Sequence, residues 1–69
     1  MKTKPDFVNA NIDSLKELRE QKGISRTTLR QWTGLNENLL RDYEEGYRKP
    51  MRLNYNKLAD VFSWVKWEA

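Results

Sequence analysis

The chain has 69 residues, a formal net charge of +3, and neither Cys nor His. That composition excludes disulfides, thiol nucleophiles, imidazole bases and nearly all zinc chemistry, and a chain this short has room for one small domain but little for a catalytic cleft. No metal, cofactor or small-molecule substrate is implied, the chain does not read as an enzyme, and the lack of a long apolar run points to a cytoplasmic protein with no membrane partner.

Residues 1–10, MKTKPDFVNA, combine Pro5 with lysines and no helical period, and they read as an N-terminal arm. A first helix is expected over residues 11–22, with Asn11 or Asp13 as cap and Ile12, Leu15 and Leu18 as its apolar stripe. Arg19 falls inside that stripe, and a charge aimed at a core requires a partner. Ser25 can cap a second helix from Arg26, with Leu29 and Thr33 on its buried edge. Gly34 breaks that helix, because a tight corner needs a positive φ that Gly alone adopts cheaply, and Asn36 is a fresh cap two residues later.

The next helix, residues 36–45, should end at Gly46. At 100° per residue, Leu39, Leu40 and Tyr43 share one face, and Glu37, Asn38, Arg41, Asp42 and Glu45 share the opposite one. This is an apolar back carrying a polar ridge. Then comes YRKPMR, with Arg48, Lys49 and Arg52 around Pro50, a block that elsewhere is usually only solvated loop. Asn54 can cap a last helix whose core face is Tyr55, Leu58, Ala59 and Phe62. Residues 63–69 end the chain with Trp64, Val65 and Trp67, which should not be left in water. Either this tail folds back over Trp32 and the last helix, or it forms a twofold dimer contact. The first is preferred, because so short a chain needs the buried area.

Two short helices around a Gly-centred corner, followed by RDYEEGYRKP, give residues 22–50 a pattern that resembles the helix-turn-helix domain of phage repressors, Cro proteins and the bacterial xenobiotic-response-element (XRE) family of regulators. The matching residues are Gly23, Ile24, Ser25, Leu29, Gly34, Leu35, Leu40, Tyr43, Glu44, Gly46, Arg48 and Pro50, with LKELREQK (15–22) and Lys57-Leu58-Ala59 matching flanking helices. The resemblance implies an all-α fold: a small four- to five-helix bundle of the lambda-repressor-like type spanning residues 11–62, between the arm 1–10 and the aromatic tail 63–69. It also implies an Arg19–Glu44 ion pair, and an origin in a phage or other mobile element. The chain departs from the family at Arg26, where Gln is usual, and at Arg30, where a small residue lets the two helices approach. Trp32 occupies a position that the family tends to expose.

The function implied is a sequence-specific transcriptional regulator whose partner is double-stranded DNA, with the helix at 36–45 in the major groove. Candidates for base edges are Arg26, Asn36, Glu37, Asn38 and Arg41; candidates for phosphates are Arg30, Arg48, Lys49 and Arg52. An objection lies within the ridge itself, where Glu37, Asp42 and Glu45 outnumber Arg41. The alternative is therefore a protein-interaction module of antitoxin or anti-repressor kind on the same fold, and a homodimer is open under either reading.

Overall fold

The computed structural model describes residues 4–68. Five helices follow one another as α1 (Asp6–Asp13), α2 (Leu15–Lys22), α3 (Arg26–Thr33), α4 (Glu37–Glu45) and α5 (Arg52–Phe62), and no strand occurs among the described residues. None of these helices is long and apolar enough to cross a membrane.

The single helix expected over 11–22 is two, and the first begins at Asp6. Pro5 precedes it with φ −60° and ψ 148°, a geometry that suits the residue before a helix and needs no backbone N–H. Val8, Ile12 and Leu15 then follow at i, i+4 and i+7, and all three are buried. Helical structure therefore covers residues 6–10, which the sequence assigns to an arm; residues 1–3 of that arm lie outside the described residues. At Ser14 (φ −98°, ψ 5°) the chain turns, and α2 leaves in a new direction. Asn11 and Asp13 cap nothing here. The Asn11 Nδ2 donates to the Tyr55 hydroxyl at 2.6 Å, and Asp13 closes α1.

Helices α3 and α4 form a helix-turn-helix-like unit. The Ser25 Oγ accepts from the Thr28 amide at 3.0 Å and the Asn36 Oδ1 from the Asn38 amide at 2.8 Å, so each helix start has a side-chain cap. Between them Gly34 takes φ +75°, and a Cβ built there would meet nothing within 4 Å. The constraint at this corner is backbone angle, not space. Thr33 is buried yet satisfied: its hydroxyl donates to the Leu29 carbonyl at 2.8 Å and accepts from the Leu35 amide at 3.2 Å.

The core is shared by all the helices, with Leu15, Leu29, Leu40, Tyr55 and Leu58 fully buried at its centre. Helix α5 starts at Arg52, behind Met51, without a side-chain cap, so Asn54 does not have the capping role expected of it. Its side chain instead donates to the Tyr43 hydroxyl at 3.1 Å and ties α5 to α4.

The C-terminal tail folds back over the last helix, α5, but not over Trp32. Trp64 stacks on Tyr55 (ring centroids 5.6 Å apart) and on Phe62 (5.0 Å), while Phe7 of α1 reaches the same tyrosine at 6.1 Å. Asn56 brackets the backbone of Trp67, accepting from its N–H at 2.7 Å and donating to its carbonyl at 2.8 Å. The Tyr55 hydroxyl, accepting from Asn11, donates to the Val65 carbonyl at 3.2 Å. Trp32 gains no cover from this and is 56% exposed. Burial raises the Tyr55 phenol above its ordinary pKa, against the opposing effect of the Asn11 hydrogen bond, so the neutral hydroxyl is the form the fold holds.

Two stability measurements test this packing. Leu40→Ala is expected to lose about 2 to 5 kcal/mol in denaturant unfolding, since it removes a fully enclosed side chain at the α3–α4 contact; a loss under ~0.5 kcal/mol would refute that placement. Deleting residues 64–69 is expected to lower the unfolding midpoint while leaving the sedimenting mass unchanged. A drop in mass would instead assign the tail to a contact between copies.

Candidate nucleic-acid interface

The interface candidate is built on α4, and its orientation depends on one carboxylate. Glu44 lies in the last turn of α4, and its side chain has no exposure to solvent. Arg19 of α2 meets it with two bonds, Nε to Oε2 at 2.8 Å and Nη2 to Oε1 at 3.2 Å, and Arg19 Nη1 donates to the Ile24 carbonyl at 2.9 Å. Arg26, the first residue of α3, adds its own Nη2 to Oε1 at 3.2 Å. A single side chain thus joins the three helices α2, α3 and α4. Planar guanidinium forks suit a carboxylate because the donors lie in fixed pairs, and the hydrogen bond from Arg19 to Glu44 holds the arginine's pKa above its ordinary value. The Arg26 Nε is buried without a partner, the one such side-chain atom among the described residues.

The outward face of α4 carries Glu37, Asn38, Arg41 and Glu45, all exposed. Among the residues named as base-edge candidates, Asn38 and Arg41 are exposed on this face, Arg41 beside Asp42. Arg26 is turned inward to Glu44, and the Asn36 side chain is occupied as the helix cap. Glu37 accepts a 2.8 Å hydrogen bond from the Thr27 hydroxyl across the corner between α3 and α4.

The acids that weigh against DNA contact on this ridge are mostly engaged. Asp42 is held between two guanidiniums, with Oδ1 3.5 Å from Arg41 Nη2 and Oδ2 3.6 Å from Arg48 Nε. Its backbone carbonyl also takes the amides of Gly46, Tyr47 (2.9 Å) and Arg48 (3.3 Å) as the chain leaves α4 through Gly46 at φ +82°. Of the three ridge acids, Glu45 alone makes no ion pair or side-chain hydrogen bond with the described residues.

The phosphate candidates divide in the same way. Arg30 is exposed on α3 and Arg52 on the first turn of α5, neither of them in an ion pair with the described residues. Lys49 makes a 2.6 Å pair with Asp13 of α1, and Arg48, two-thirds exposed, faces Asp42. Nothing in the sequence flags the Lys49–Asp13 and Asp42–Arg48 pairs, because helical period carries no information about which loop residue meets which helix end. The second arginine on Glu44 was detectable in principle: Arg26 stands where a neutral Gln is usual in the resembling family, next to an acid that must be neutralised.

Compared with family models, with curated proteins and with solved structures, the chain finds no match. The fold and the arrangement of its side chains are therefore the basis for any reading of function.

The Glu44 cluster makes a direct prediction for folding. Glu44→Ala leaves two arginines facing each other without a counter-charge and should cost about 3 kcal/mol or more in urea unfolding, whereas Arg26→Ala, with Arg19 still bidentate, should cost clearly less. Equal and small losses would show that the carboxylate does not hold the three helices together.

Proposed function

We propose that this chain is a sequence-specific DNA-binding transcriptional regulator of the phage-repressor and Cro (XRE) type, on a lambda-repressor-like fold, with α4 entering the major groove of double-stranded DNA. The observation that carries this reading is the exposed pair Asn38 and Arg41 on α4, with Arg48 joined to Arg41 through Asp42 and further exposed guanidiniums at Arg30 on α3 and Arg52 on α5. An amide suits adenine N6/N7 and a guanidinium suits guanine O6/N7, while cations at the helix margins suit phosphates that look alike in every sequence. The pairing of Asp42 with Arg41 and Arg48 removes much of the negative field that would oppose such docking.

A second reading, a protein-interaction module on the same fold, is favoured by a different observation. Tyr47 and Met51 in the connection after α4 and Leu53 in the first turn of α5 are each about 70% exposed, and Trp32 stands half out of α3. Apolar groups of that size gain little from a phosphate backbone.

Titration of a selected duplex and a scrambled duplex across a salt series separates the two. Arg41→Ala should cost roughly 1 to 3 kcal/mol on the selected site and little on the scrambled one. Arg48→Ala should weaken both by similar factors and reduce the slope of log affinity against log salt by about one unit. If the unaltered chain binds no duplex in a salt-dependent way, the interaction module replaces the regulator.

A further inference from the structure

We propose that Asp42 is a specificity-determining residue, a built-in counter-ion that any duplex displaces from Arg48 and that only a matching base edge displaces from Arg41. The inference rests on the DNA-binding reading and names a residue which that reading alone would count as an obstacle.

The geometry is specific to this acid. Its two carboxylate oxygens are divided, one toward Arg41 on α4 and the other toward Arg48 in the loop, at 3.5 and 3.6 Å. The carboxylate is only one-fifth exposed, while Arg41 and Arg48 are half and two-thirds exposed, so the cations are the mobile partners and the acid is the fixed one. Asp42 is fixed because its own carbonyl receives three successive amides at the end of α4, which anchors the backbone under the side chain. Neither pair is short enough to be a strong charge-assisted hydrogen bond, and exposed pairs of this kind are easily exchanged. A duplex can therefore draw either arginine away, at the cost of the pair it leaves.

The consequence is an unequal tax on binding. On random DNA Arg41 finds no matching base and stays with Asp42, so only Arg48 leaves, for a phosphate. On a correct site Arg41 also leaves, for the guanine edge, and both pairs are broken. Removing the charge should help right sites more than wrong ones. An acid that merely lowered the general field would act equally on both, and Glu45, in the same last turn but outside any ion pair, supplies that comparison.

The experiment uses the whole chain, a duplex selected by the unaltered protein from a random library, and a scrambled duplex of equal composition. Asp42→Asn keeps shape and backbone caps, and thermal unfolding of each variant confirms that the fold is retained. The expected result is a gain on both duplexes at low salt, roughly two- to fivefold larger on the selected site than on the scrambled one, and a salt slope steeper by about one unit on both; a larger gain on the scrambled duplex would overturn the proposal. Glu45→Gln is expected to shift both duplexes together and less. Equal effects of Asp42→Asn and Glu45→Gln, or an equal gain on both duplexes, would overturn the counter-ion role while leaving the DNA reading intact. If the unaltered chain shows no salt-dependent binding, the DNA reading fails and this inference fails with it.

Discussion

The whole arrangement depends on a carboxylate placed where water cannot reach it. Burying Glu44 is costly by itself, and the cost is met only because Arg19 and Arg26 arrive from two other helices with donors already aligned. This requirement fixes geometry in a way that apolar packing does not. Leucines tolerate sliding by an ångström or rotation by a rotamer, whereas an unpaired buried charge does not, so the angle between α4 and its two neighbours is set by the reach of two guanidinium forks. The exposed ridge of α4 inherits its direction from this constraint on its hidden side.

The fold is legible in the sequence wherever its signals are local. Ser25, Gly34, Asn36 and Gly46 mark the ends of α3 and α4, and they do so through rules that involve a residue and its immediate successors. The start of α1 was also written locally, in Pro5 and the spacing of Val8, Ile12 and Leu15, but the lysines around it gave the segment the look of a loose arm. Asn54 misleads for the opposite reason. It is a good cap residue in the wrong place, and the helix begins two residues earlier because Tyr55 must face the core.

The candidate site is less legible, because its character lies in pairings between distant positions. Asn38 and Arg41 follow from the helical wheel. That Asp42 faces Arg48, that Lys49 is held by Asp13, and that Arg26 turns inward depend on how a loop returns across the bundle. The sequence indicates that the tail needs cover and offers the last helix together with Trp32, of which the tail takes only the helix. An asparagine whose side-chain carbonyl and NH2 are matched to the N–H and C=O of one residue, as Asn56 is to Trp67, leaves no periodic trace.

The meeting of both chain ends on Tyr55 has a consequence for chain entropy. Phe7 and Asn11 approach that ring from one end and Trp64 and Val65 from the other, so the backbone runs nearly in a closed circuit. Joining Asn11 to Tyr55 closes a loop of 44 residues, against 10 for the contact between Thr27 and Glu37. On a logarithmic closure law the longer loop is dearer by only about 1 kcal/mol. The clasp therefore adds little to the entropic cost of folding, while it restrains two segments that would otherwise fray.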